Sequence, residues 1–335
     1  MHHIRTYLTP LQANGIARRS TRPAGMARAV LALAALTLAA CTEHSLNTPA
    51  TPSISFGTKV DSRAAVNSQN ELQPFSVWGW YDGNTNPLFD AETVDKDGNY
   101  GGGDRYWVMG KRHDFFALHP AELSNGTTTT CDASGNLTVT NFDCSATGTA
   151  AIDLMTACAN HTPAADATSI PAVELKFAHE LARVKFSVKS ESPVTITSAK
   201  AYGFPYKGTL TMTHPATGGW TPSWNPVTKC EENTTPYTSS EFSLTTTDPQ
   251  DLFEGDLLLI PTQSLETDGA TLTLTYQYED GTSHTGTVKL ATEQISKWQE
   301  GHSYQYILTI PGTDAEVDFT VTAGDWETNN VFEEL

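Results

Sequence analysis

The sequence predicts an all-β protein built as two antiparallel β-sandwich domains in tandem, and three observations carry that expectation. Short runs in which apolar and polar residues alternate recur along the chain, with Gly, Pro, Asn and Asp between them. Helical periodicity is scarce, since only Ala150–Ala159 has the composition of a short helix and Glu293–Trp298 that of one turn. Removing a 40-residue signal segment from 335 residues leaves 295, more than one hydrophobic core usually serves.

That signal segment is the first element. Residues 1–40 hold five arginines (Arg5, Arg18, Arg19, Arg22 and Arg28), no acidic residue, and then the apolar run Ala29–Ala40. A basic stretch before an apolar run of this length is a signal peptide, too short to span a bilayer as a stable helix. It ends in Leu38-Ala39-Ala40-Cys41, with the small residues and the cysteine that a lipoprotein signal peptidase requires. Cys41 is therefore the expected lipid-bearing residue, whose acyl chains would hold the protein on a membrane. Met26 is an alternative start that leaves this expectation intact.

Residues 41–52 (CTEHSLNTPATP) are polar, contain proline and lack periodicity, as a tether would. Strands are then expected at Ser53–Phe56, Phe75–Tyr81, Arg105–Met109, Phe115–His119, Val173–Phe177, Val184–Val188, Leu257–Ile260, Ala270–Tyr278, Thr285–Leu290, Ser303–Ile310 and Glu316–Val321. Thr271–Tyr278 is the clearest, with Leu272, Leu274 and Tyr276 on one face and threonines on the other. The polar loop Asn160–Pro171 is the expected boundary, dividing the chain into domains at 53–165 and 166–335.

Without the signal segment, 15 basic residues face 38 acidic ones, a net charge of −23. Such a surface repels phosphate backbones and argues against nucleic-acid binding. Cys131, Cys144, Cys158 and Cys230 remain, and a local disulfide across the Cys131–Cys144 hairpin is one of the pairings they allow. No GxSxG, HExxH or phosphate-binding glycine loop is present, and His179-Glu180 is followed by Arg183 where a zinc-binding helix needs a second histidine. No enzyme activity and no cofactor are expected.

Two stretches offer chemistry of another kind. Asp95, Asp97, Asn99 and Asp104 supply hard oxygens that suit calcium, although their spacing departs from the EF-hand loop and an acidic connection between strands explains them equally. Trp78, Trp80 and Trp107 could stack on sugar rings. Phe75 and Val77 share one face of their strand, however, and Trp78 and Trp80 the other, which fits a strand buried on both sides.

Several phrases in order along the chain resemble one family, the fimbrillins of type V pili in their fimbrillin-like, Mfa-like branch. They are the cysteine motif at Cys41, Ile54-Ser55-Phe56 followed by Arg63, Phe115–Pro120 (FFALHP), Ile152–Ala157 (IDLMTA), Val173–Val188, Leu257–Pro261 (LLLIP) and Gly301–Ile310. Phe177–Ala182 is the most specific of them, and the series runs from Cys41 to Trp326. The resemblance implies two transthyretin-like β-sandwich domains and an outer-membrane lipoprotein at the cell surface. It also implies that a protease removes the first strand and that a strand from another pilin subunit replaces it by β-strand addition. On this chain Arg63 is the implied cleavage site, with Lys59 as the alternative, and Ile54 and Phe56 belong to the replaced strand. Val317, Phe319 and Val321 repeat its alternation and are the donor-strand candidates, although this segment could equally be the last strand of its own domain. The competing expectation is a monomeric surface lipoprotein that binds glycans through Trp78, Trp80 or Trp107.

Overall fold

The computed structural model describes residues 51–60, 74–124, 126–215, 219–245, 248–312 and 317–325. Its first strands are β1 (Phe56–Val60), β2 (Phe75–Tyr81), β3 (Phe89–Val94), β4 (His113–His119), β5 (Thr128–Cys131), β6 (Leu137–Asp143), β7 (Met155–His161) and β8 (Val173–His179). Then come β9 (Ala182–Ser190), β10 (Val194–Tyr202), β11 (Pro205–Thr213), β12 (Thr221–Lys229), β13 (Phe242–Leu244), β14 (Gln250–Asp251) and β15 (Leu257–Leu259). After a helical turn, α1 (Leu265–Asp268), the chain ends in β16 (Thr271–Tyr278), β17 (Ser283–Lys289), β18 (His302–Ile310) and β19 (Asp318–Asp325).

Strand β2 organises the first half. Phe75 and Val77 turn to one side, joining Phe89, Phe115, Leu175 and Phe177, while Trp78 and Trp80 turn to the other beside Phe116 and Leu118. A strand with no polar face has to be covered twice. It lies inside a six-stranded sheet of order β1-β8-β7-β4-β2-β3. The tryptophan side is covered by a four-stranded sheet, β12-β11-β6-β5, through Leu137, Val139 and Phe142 of β6 and Leu210 and Met212 of β11. The other side is covered by the segment before β1 and the connection from β3 to β4, through Ile54, Tyr100, Trp107 and Met109.

The second sandwich sets β14-β9-β18-β19, with β15 also on β9, against β13-β10-β16-β17. Val184, Phe186, Val188, Tyr304, Tyr306 and Leu308 from one sheet meet Val194, Ile196, Leu272, Leu274 and Tyr276 from the other. In β16 the leucines and Tyr276 are buried and the threonines half-exposed, as its alternation predicts. Both sandwiches belong to one compact unit.

Several expectations change. The sheets are not purely antiparallel, because β1 runs parallel to β8 and β9 parallel to β18. The loop Asn160–Pro171 connects β7 to β8, which pair within one sheet, and the chain passes to the second sandwich only at Glu180–Leu181. It then sends the β11–β12 hairpin back onto β6. A polar, proline-bearing stretch marks a surface connection, which a long loop between neighbouring antiparallel strands needs as much as a linker does. Ala150–Ala159 is no helix: after a 3-10 turn at Gly148–Ala150 it becomes β7, whose Met155 and Ala157 alternate into the core. The β5–β6 register sets Cys131 opposite Leu137 beside the turn, which leaves Cys144 past the far end, and all four described cysteines are free thiols.

Candidate functional site

The segment Pro52–Val60 alternates, and the structure uses the alternation. Ile54, Phe56 and Thr58 are 2, 4 and 5% exposed, while Ser55 and Lys59 face outward. On one side the segment pairs with β8, from Phe56 opposite Val173 to Val60 opposite Phe177, and the amide of Val173 donates to the Ser55 carbonyl at 2.8 Å. On the other side it meets the β3–β4 connection. There Ile54 N–H donates to Arg105 O at 2.7 Å, Trp107 N–H to Pro52 O at 3.2 Å, and the Tyr100 hydroxyl to Ile54 O at 2.7 Å. Arg105–Met109, expected as a strand, makes only a bridge here, Ser53 opposite Tyr106. The residues before β1 thus lie in a slot with two walls.

An aromatic pocket closes the slot over Phe56. Its ring stands edge-on to Phe89, Tyr100 and Phe115 at centroid distances of 5.2, 6.1 and 5.5 Å. Burial raises the Tyr100 phenol above its ordinary pKa, so it stays a hydrogen-bond donor. Gly98 passes so close that a Cβ there would lie 2.1 Å from the Phe56 carbonyl oxygen, and its φ of +82° already favours glycine.

The candidate calcium ligands build this wall instead of converging. Asp95 Oδ1 accepts from the amides of Asp97 and Asn99, both at 2.9 Å, and the Asn99 side-chain amide donates to the same carboxylate. These bonds, led by the Asn99 side chain, hold the Asp95 carboxyl below its usual pKa. Asp97 pairs with Lys96, and Asp104 accepts from Tyr106 at 3.4 Å. Among the described residues no three His, Cys, Asp or Glu side chains are grouped as metal ligands. Arg105 fixes the far end of the wall, donating from Nε to Leu88 O and from Nη1 to Gly102 O.

The tryptophans are core residues. Trp78, Trp80 and Trp107 are 3, 7 and 2% exposed, so none offers a ring face to a sugar. Trp107 packs on His113, Phe115 and His161, which anchors the slot wall to the sheet. Val317, Phe319 and Val321 belong to the last segment of the second sandwich, where β19 pairs with β18 as an edge strand. Lys59 lies within the paired part of β1 and forms a 2.7 Å ion pair with Glu174. Cys41 and Arg63 lie outside the described residues.

A second cluster involves His179-Glu180, which the sequence shows only as an incomplete zinc motif. Glu180 is fully buried where β8 passes to β9, and its carboxyl accepts from Thr156 Oγ1 at 2.5 Å. Its carbonyl accepts from Trp224 Nε1 at 2.9 Å, and its neighbour His179 bonds Asp153 at 2.8 Å. Desolvation pushes Glu180 up to about 8, against the smaller opposing effect of the Thr156 bond. Its signal in the sequence was the His179-Glu180 pair within Phe177–Ala182, which gave no sign of the buried Thr156 partner.

Two joined sandwiches, with β1 and β19 both at sheet edges, define the class: an all-β sandwich protein. The Fimbrillin-like family model matches residues 62–326, and the chain belongs to that family. Comparison with curated protein sequences returns no match. Among solved structures, a fimbrial protein from Bacteroides vulgatus is similar, with a TM-score of 0.53 and 16% identity over 82% of this chain and 99% of its own. A putative cell adhesion protein from Bacteroides uniformis gives 0.50 and 17% over 82% and 98%, and one from Parabacteroides distasonis 0.50 and 11% over 83% and 97%. At these identities the likeness is one of fold. No helix among the described residues is long and apolar enough to cross a membrane.

Proposed function

We propose that the protein is a structural, non-catalytic subunit of a cell-surface pilus. It is exported as a lipoprotein, held in the outer membrane through Cys41, and assembled by strand exchange after proteolysis at Arg63 releases β1. One observation carries this reading: β1 is an edge strand whose excision would leave the buried sites of Ile54 and Phe56 open beside the unpaired edge of β8. A foreign strand satisfies both the apolar groove and the backbone groups. Lys59 is the poorer site for a cut, since it is held in the β1–β8 ladder and ion-paired and a protease needs an extended, unpaired segment. The family match begins at Ser62, just past β1, and the similarity to a fimbrial protein and to a putative cell adhesion protein supports the same role.

The incoming strand comes from a second subunit. Val317, Phe319 and Val321 have the spacing of Ile54, Phe56 and Thr58, so a segment of this pattern aligns with the slot residue by residue. In this subunit the same segment pairs with β18, so donating it would require its release.

Limited trypsin treatment of the full-length protein, with N-terminal sequencing and electron microscopy, tests the reading. The expected result is a new N-terminus at Ala64 and polymers once partner subunits are added. An uncut chain, or cut chains that stay monomeric with those partners, would overturn it.

A further inference from the structure

The slot has an asymmetry that edge-strand exchange alone does not explain. A plain edge strand is bonded on one side and can peel away, whereas Pro52–Phe56 is bonded on both. The second wall has ties of its own besides those to the strand: Arg105 is tied to Leu88 and Gly102, Tyr100 is bridged to Val94, and Trp107 is buried against the sheet. Tyr100 serves two purposes, since its ring lines the Phe56 pocket while its hydroxyl donates to the Ile54 carbonyl.

We propose that residues Gly98–Trp107 are a strap that governs exchange at this slot, gripping the backbone of any occupant and selecting a strand of the pattern apolar-x-aromatic through the Phe56 pocket. The occupant is the chain's own first segment before processing and a strand of a second subunit afterwards; this last step rests on the pilin reading above. A resident strand has to give up its bonds to Tyr100, Arg105 and Trp107 before it can leave, so cutting the chain is not sufficient to empty the slot. An incoming strand without a ring at the position of Phe56 leaves the pocket between Phe89, Tyr100 and Phe115 unfilled. Its dissociation is correspondingly faster.

The test uses the full chain with a site-specific protease sequence inserted after Arg63. After cleavage, loss of the N-terminal fragment is followed by native mass spectrometry in the parent, Tyr100→Phe and Gly98→Ala. Tyr100→Phe keeps the ring and loses the hydroxyl's one hydrogen bond to the strand, together with the longer one it accepts from the Arg105 amide within the strap, so release is about five- to tenfold faster. Gly98→Ala drives a methyl group against the Phe56 carbonyl and releases faster still. A synthetic peptide of residues Thr51–Val60 retakes the emptied slot, and the same peptide carrying Phe56→Ala does not. Release from Tyr100→Phe at the parental rate, or equal binding of the two peptides, overturns the proposal, and Tyr100→Phe decides alone if Gly98→Ala does not fold. If release and peptide capture follow expectation but cut subunits never assemble with their partners, the strap stands and the pilin reading fails.

Discussion

Phe56 is an edge-strand residue buried like a core one, because three aromatic rings and the strap close over it. Phe56→Ala is expected to lower unfolding free energy by about 3–5 kcal/mol in denaturant titrations, the range for a buried phenylalanine. An effect near zero would mean that the pocket is loose. Glu180 makes the opposite kind of prediction. Its carboxyl is raised from 4.5 to about 8 by burial, so the folded state holds its proton more tightly than the unfolded state. Its contribution to stability is therefore complete below 4.5 and is lost as pH rises through about 8. The decline is about 1.4 kcal/mol per pH unit between 4.5 and about 8, and Glu180→Gln should remove it while keeping an acceptor for Thr156. His119, whose pKa burial lowers, acts with the other sign and below the ordinary histidine range. Guanidinium titrations between about pH 7 and pH 8 thus read Glu180 above the histidine range and below that of the thiols, whose pKa values burial also raises, and an unchanged slope in the variant would contradict the assignment.

At the scale of elements, the β5–β6 hairpin is fixed from its turn. Gly135 has φ +80°, and a Cβ there would lie 2.2 Å from the Phe116 ring, while Trp220 Nε1 donates to the Gly135 carbonyl at 2.7 Å. Gly135→Ala should cost about 2 kcal/mol or more, part from the left-handed backbone and part from displacing the ring. Thermal unfolding reads this, and a neutral outcome would show that the turn can refold away from the ring. Strands with strong alternation, such as β16, were legible in the sequence because one face is wet. β12 was not: Pro222 and Pro226 break its pattern, and an edge strand tolerates them because it has one ladder to keep. Turn α1 had a readable signal that was passed over, Ser264 capping the amide of Thr267 and Gly269 ending the turn at φ +76°.

The whole molecule is two sandwiches that share a hairpin. Because β8 and β11–β12 complete the first sandwich from beyond residue 165, a polypeptide of residues 53–165 lacks one of the two partner strands of β6 and of β7, and the strand that β1 pairs with. Expressed alone it should show no cooperative unfolding transition, whereas residues 53–325 should. A stable, cooperatively folded 53–165 piece would disprove the shared architecture. The Trp78 and Trp80 faces that would have met sugar are instead the surface on which the returning sheet packs.

Composition and period-two alternation by themselves determined an all-β chain, its strongest strands and the apolar-x-aromatic character of Ile54 and Phe56, since alternation is a local property that one wet and one dry face impress directly on the sequence. The basic and apolar run before Cys41 carries the expectation of a lipid-bearing cysteine, and only the family resemblance implies a cut at Arg63; both residues lie outside the described residues. Which strands share a sheet, that the tryptophans face a second sheet, and that the β3–β4 connection walls in the first strand were decided only by the tertiary structure. Those facts rest on pairings between residues tens of positions apart, and a pairing partner leaves no mark on the local pattern of a strand apolar on both faces.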